Sequence, residues 1–173
     1  IPNTVYHATK TLIRLGVDIL NVHASAGFEA MQAAVKGRNE GVKEFGILNP
    51  PLLIAVTQLT SSNQDTLKND LLINEKLEDV VNHYALRAKD AGFDGVVTSA
   101  HEVKAIKKIC GKDFLTITPG IRLKNSESND QKRVMTPREA LDTGSDFIVI
   151  GRAITNSAHP AKELEAIIEE LDK

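Results

Sequence analysis

Two glycine–arginine turns follow apolar runs in the second half of this 173-residue chain. Residues 114–117 lead into Thr118-Pro119-Gly120-Ile121-Arg122, and residues 147–149 lead into Ile150-Gly151-Arg152. A short apolar run is how a buried parallel strand reads in sequence. The glycine after it lets a ligand approach the backbone closely, and the arginine adds a planar fork of N–H donors that matches a phosphate. Arg152 also opens a short helical stretch over 153–155. The Gly151 and Arg152 amides would then point at an anion, with the helix dipole behind them. The chemistry implied is the gripping of a phosphorylated small molecule. A surface arginine on a rim is the competing reading of Arg152.

Other residues could complete such a site. Residues 124–133 form an unbroken polar stretch between a strand and a helix, a solvated loop by composition and a lid by position, with Gln131 or a cation closing over the ligand. Leu59-Thr60-Ser61-Ser62 ends another strand, where hydroxyls and amides can read a polar heterocycle or cap a helix. His23 ends the run 18–23 and should face the same mouth, with structural and catalytic roles both open. Zinc spacing, a nucleophile elbow, a P-loop and an acid cluster at strand ends are all missing from the sequence, so no metal site is expected.

The elements that must position these residues alternate. Apolar runs fall at 18–23, 52–59, 95–99, 114–118 and 146–150, and helical periodicity covers 3–15, 27–44, 76–91, 101–110, 137–142 and 160–171. Strands alternating with helices predict an α/β fold with a parallel sheet. Gly16-Val17-Asp18, Gly92-Phe93-Asp94 and Gly144-Ser145-Asp146 repeat a helix-to-strand turn, expected at the bottom of a barrel with a structural role. Two phosphate-suited strand ends in succession point to a (β/α)8 TIM barrel, whose last two loops commonly bind phosphate. An open doubly wound sheet is the alternative, but 22–27 is a poor version of its glycine fingerprint. Five strands of eight are accounted for, and the sequence opens at Ile1 without a methionine. The expectation is a single domain over 1–173, the C-terminal two thirds of a TIM barrel, with three strands preceding Ile1.

Composition narrows the partners. A formal charge of -2, with 42% hydrophobic and 25% charged residues, fits an ordinary globular protein and gives no reason to expect nucleic acid or an anionic membrane. No apolar run approaches the roughly 20 residues of a membrane span. The single cysteine, Cys110, has no partner for an internal disulfide; a buried hydrophobic role and a cytoplasmic setting are expected.

Read together, Ile1-Pro2-Asn3-Thr4-Val5, Asn21-Val22-His23-Ala24, Ala55-Val56-Thr57-Gln58-Leu59-Thr60-Ser61, Thr118-Pro119-Gly120-Ile121-Arg122, Asp130-Gln131-Lys132-Arg133 and Ile150-Gly151-Arg152-Ala153-Ile154 resemble the bacterial orotidine 5′-phosphate decarboxylase family along the whole chain. The resemblance implies a TIM barrel of the ribulose-phosphate-binding type and a carboxy-lyase that converts orotidine 5′-phosphate to UMP and carbon dioxide in pyrimidine biosynthesis, without metal or cofactor. It implies that Arg152, the Gly151 amide and Gln131 grip the phosphate, with Arg122 assisting. Thr60 lies at the pyrimidine edge and Pro119 forms the apolar wall by the reacting carbon. Ile1 and Thr4 reach across a homodimer into the neighbouring site. The family's Asp-x-Lys-x-x-Asp motif, with its catalytic lysine and aspartates, is absent from these 173 residues and is expected before Ile1. Another phosphate-binding barrel enzyme, such as a sugar-phosphate decarboxylase, and a non-catalytic phosphate-binding fragment are the alternatives.

Overall fold

The computed structural model describes residues 1–122 and 135–172. Five parallel strands lie side by side in chain order: β1 (Ile19–His23), β2 (Leu52–Val56), β3 (Gly95–Val97), β4 (Leu115–Thr118) and β5 (Phe147–Ile148). Helix α1 (Pro2–Arg14) leads into β1. The crossovers between successive strands are α2 (Phe28–Phe45), α3 (Leu77–Ala91), α4 (Val103–Cys110) and α5 (Pro137–Asp142); α6 (Arg152–Thr155) and α7 (Pro160–Leu171) follow β5. The strand order contains no reversal. A doubly wound sheet reverses at its switch point, whereas the units of a TIM barrel advance one strand at a time in one direction. The architecture is therefore that of consecutive barrel units.

The main core lies between the sheet and its helices, where Leu53, Val81, Ala85, Val96 and Ile106 are fully buried. A smaller cluster of Ala100, Ile121 and Ala140, with Met135, Ile148 and Ile150 against it, sits under the ends of β4 and β5. Helix α1 lies close on α2 because Gly37 presents no side chain. A Cβ there would come 2.5 Å from the Tyr6 carbonyl oxygen. The outer side of this contact is tied by the Tyr6 hydroxyl donating to Glu40 and by a Lys10–Glu44 ion pair.

The Gly-x-Asp turns do structural work at the start of the strands. Gly16, Gly92 and Gly144 all have left-handed φ, at 73°, 95° and 95°. The Asp94 Oδ2 accepts from the Leu53 N–H at 2.7 Å and from Arg38 Nη1 at 2.5 Å, clasping β3 to β2. The Asp146 Oδ2 accepts from the Thr116 N–H at 2.7 Å and from Lys107 Nζ at 2.6 Å, clasping β5 to β4. Burial pushes the Asp146 carboxyl up, but the hydrogen bonds from Lys107 and Thr116 outweigh it and hold the group below its ordinary value of 3.8. A carboxyl with a depressed folded pKa stabilises the fold above its unfolded value, and that contribution is lost as pH falls through the folded one. Asp146→Asn should therefore be less stable than the parent chain at pH 7. The gap should shrink below pH ~4. Melting both proteins across that range checks it, and a gap that does not change with pH would count against the clasp.

Strand ends differ from the sequence expectation in three places. The run 52–59 was expected to be one strand, but β2 stops at Val56 because β3, its neighbour, stops at Val97. The Thr57 N–H still donates to Val97 O at 3.1 Å, and Leu59 then turns out to 51% exposure. The run 95–99 ends early because the Glu102 carboxylate accepts from the Thr98 hydroxyl at 2.6 Å and the Ser99 N–H at 2.9 Å. These bonds draw the chain out of the ladder into a 3-10 turn, Ala100–Glu102, ahead of α4. The run 146–150 is shortened because β4, its neighbour, ends at Thr118, whose carbonyl takes the last bond, from the Val149 N–H at 2.9 Å. Periodicity gave no sign of the π-helical turn Thr66–Asp70.

Candidate active site

Because all five strands are parallel, the segments that follow them emerge at one end of the sheet. Thr60 follows β2, Ser99 follows β3, Pro119 and Arg122 follow β4, and Gly151 and Arg152 follow β5. The topology thus brings together four of the strand ends that the sequence singled out or bordered. His23 ends β1 at the same end and is exposed. Gln131 lies outside the described residues. Ile1 and Thr4 are exposed at the start of α1. The tight turn at Gly16 reverses the chain between α1 and β1, so the helix start lies towards the strands' C-terminal end.

The turn after β4 is the most constrained part of the site. Gly120 takes φ 80°, a conformation that admits glycine readily. Ile121 is fully buried and bridges Met135 in parallel, and the Arg122 N–H donates to Met135 O at 3.0 Å. The chain thus leaves at Arg122 and returns at Met135 side by side. Arg122 is 6% exposed, and its Nη1 donates to Ile121 O at 2.9 Å. Its Nε has no hydrogen-bond partner, and none of the ion pairs among the described residues involves it. Among the described residues no carboxylate pairs with this buried guanidinium, and a dianion at the mouth would supply the counter-charge that such a group calls for.

The turn after β5 is open. A Cβ on Gly151 would meet nothing within 4 Å, so there is room for a ligand against the backbone. Helix α6 begins at Arg152, and its hydrogen-bonding starts with the Ile154 N–H donating to Gly151 O at 2.8 Å. The amides ahead of that bond lie outside the helix's own hydrogen-bond ladder. Arg152 itself is exposed. Of the two arginines, Arg122 is buried and Arg152 exposed.

At the other strand ends, Thr60 is 6% exposed and Pro119 half-buried. The sequence reading missed Ser99. Its Oγ is buried without a hydrogen-bond partner, although the Glu102 carboxylate holds the Ser99 amide. An orphaned buried hydroxyl between Thr60 and Pro119 is suited to a polar atom of a ligand. Its sequence signal was weak, a serine ending an apolar run, and was read only as the edge of a strand. Cys110 lies away from this mouth, where α4 ends and before β4 begins. It is 3% exposed, and burial pushes its thiol up, as the hydrophobic reading expected.

Comparison with known proteins agrees with this fold. The sequence profile of the family described as Orotidine 5′-phosphate decarboxylase / HUMPS family matches residues 1–167. A protein of Streptococcus suis (strain 05ZYH33) named orotidine 5′-phosphate decarboxylase is 49% identical over 173 residues, covering 100% of this chain and 71% of the relative. One from Halalkalibacterium halodurans with the same name is 50% identical over 167 residues, covering 96% and 70%. The crystal structure of orotidine 5′-phosphate decarboxylase from Lactobacillus acidophilus aligns with a TM-score of 0.82 at 37% identity, over 100% of this chain and 71% of that one. An uncharacterized conserved protein from Geobacillus kaustophilus aligns with a TM-score of 0.79 at 41% identity, over 98% and 71%. With a profile match along nearly its whole length, near-half identity to these relatives and their parallel α/β architecture, the chain belongs to the orotidine 5′-phosphate decarboxylase family.

Proposed function

We propose that this end of the sheet is the nucleotide-binding side of an orotidine 5′-phosphate decarboxylase site. The observation that carries the reading is Arg122, a buried guanidinium with an unpartnered Nε two residues after the left-handed Gly120. Arg122, Arg152, the Gly151 amide and Gln131 grip the 5′-phosphate. Thr60 and Ser99 address the polar edge of the pyrimidine, and Pro119 forms the apolar wall beside the reacting carbon.

The reaction breaks the bond between C6 and the carboxylate. Carbon dioxide leaves, the electron pair stays on C6, and a proton replaces the carboxylate to give UMP. Charge therefore develops late, and preorganised charge near C6 is the main means of stabilising it. The family resemblance assigns that task to the lysine and aspartates of Asp-x-Lys-x-x-Asp, a motif these 173 residues do not contain. The residues described above supply the remote part. Phosphate binding far from C6 holds the base in place and can be expressed in the transition state.

The remaining assignments follow from the same reading. Ile1, 87% exposed, and Thr4 reach the site of a second copy in a homodimer. The setting is cytoplasmic and no nucleic acid is involved. Among the described residues no helix is long and apolar enough to cross a membrane.

Calorimetric titration with UMP and with uridine tests the phosphate grip. UMP should bind and uridine should bind at least about tenfold more weakly, since charge-assisted hydrogen bonds carry the difference. Equal affinities would remove the phosphate assignment.

A further inference from the structure

Two capping boxes among the described residues are bonded differently. The box that opens α5 uses its own hydroxyl. Thr136 Oγ1 donates to Glu139 Oε2 at 2.7 Å and accepts from the Glu139 N–H at 3.3 Å, and the Thr136 N–H reaches the same carboxylate at 2.9 Å. In the 3-10 turn ahead of α4 the cap hydroxyl is passed over. The Glu102 Oε2 accepts from the Ser99 N–H at 2.9 Å, but its hydroxyl donor is Thr98, at 2.6 Å. The Glu102 N–H donates to Ser99 O at 3.0 Å. Ser99 Oγ is left without a hydrogen-bond partner in a residue only 1% exposed.

The alternation of β3 explains the difference. Successive side chains of a strand face opposite sides, and Val96 packs in the main core between sheet and helices. The Thr98 N–H still donates to Ile117 O at 3.1 Å, so the ladder runs one residue past β3. Thr98 therefore shares the helix side with Val96, where it meets Glu102. Ser99 falls with Val97 on the side away from the helices. Thr57 braces the arrangement from the end of β2: its hydroxyl donates to Val97 O at 3.0 Å and lies 3.4 Å from the Thr98 hydroxyl.

We propose that Glu102 is a positioning residue for the base of the nucleotide. By holding the Thr98 hydroxyl and the Ser99 amide, it keeps the Ser99 hydroxyl uncommitted and fixed between Thr60 and Pro119. That hydroxyl bonds the polar edge of the pyrimidine, where carbonyls and a ring N–H alternate, because a hydroxyl can donate or accept. A buried hydroxyl favours a ligand that pairs it over one that leaves it unpaired. The proposal rests on the nucleotide reading above and adds a residue that acts on the base through Ser99.

Calorimetric competition between UMP and ribose 5-phosphate, which keeps the sugar and phosphate but lacks the base, tests it, with a melting curve for each variant. The parent chain should bind UMP the more tightly. Ser99→Ala and Glu102→Ala should each weaken UMP by about tenfold and leave ribose 5-phosphate unchanged. Ser99→Ala should not lower Tm, since it removes a buried atom that has no partner. The double variant should bind UMP no more weakly than either single one, because both remove the same contact. Glu102→Gln keeps an acceptor for both donors and should recover most of the affinity. Glu139→Ala, from the other box, should lower Tm without changing the ratio of the two affinities.

If Glu102→Ala weakens both ligands alike, or neither, Glu102 is structural and the proposal falls. UMP binding by Ser99→Ala at the parent's affinity also overturns it, and leaves the phosphate grip standing. A parent chain that binds neither ligand removes the nucleotide reading and this proposal with it.

Discussion

Gly95→Ala should destabilise the chain by about 3 kcal/mol or more. Gly95 opens β3 and is registered opposite Leu115 of β4. A Cβ at this position would lie 2.3 Å from the Leu115 carbonyl oxygen and 2.6 Å from the Leu115 Cβ. The first of these atoms is backbone in the middle of the sheet, so no side-chain rotation relieves the clash. The strands must move apart where Asp94 clasps β2 and where the Leu115 N–H reaches Asp94 O. For a chain of this size the loss corresponds to a fall in Tm of roughly 6–12 °C. Gly144→Ala is the control: its φ is 95°, and nothing lies within 4 Å of the added methyl. That variant should lose only the cost of a left-handed alanine, about 1–2 kcal/mol. If Gly95→Ala melts no lower than Gly144→Ala, the close approach of β3 and β4 is not as described.

Arg122→Leu should separate stability from binding. In the free chain the buried guanidinium has an unpartnered Nε and makes none of the ion pairs found among the described residues. Replacing such a charge with an apolar side chain of similar reach is often neutral or stabilising. The Tm of the ligand-free variant should therefore stay level or rise. UMP affinity should fall by about 10- to 150-fold, the range of one charge-assisted hydrogen bond. Arg122→Lys should recover only part of it, because an ammonium cannot offer the planar fork. Arg152→Ala should also weaken UMP binding. A variant Arg122→Leu that unfolds more readily and binds UMP as well as the parent would make Arg122 a structural residue.

These two expectations lie at different depths of legibility. Alternation of apolar runs with helical periodicity was enough to place all five strands and the six longer helices within a few residues, because burial on both faces forces short Val, Ile and Leu runs in parallel strands. The glycine–arginine turns after β4 and β5 were equally plain, since a glycine followed by an arginine at a strand end has few purely structural uses. The Gly-x-Asp repeat announced itself, and all three of its glycines take left-handed φ.

Other features depended on what the chain meets in space. Where a strand stops is set by its neighbour: β2 stops with β3, and β5 stops with β4, facts that no window along one segment contains. Ser99 matters because the Glu102 carboxylate holds its amide and leaves its hydroxyl buried and unpartnered. Burial separates the two arginines of the proposed grip, with Arg122 enclosed and Arg152 exposed. The sequence by itself determined the kinds of element and their order and suggested the phosphate chemistry, because these follow from local periodicity and residue type. Only the tertiary structure decided which donors lack partners, because hydrogen bonding and burial are counted across the sheet.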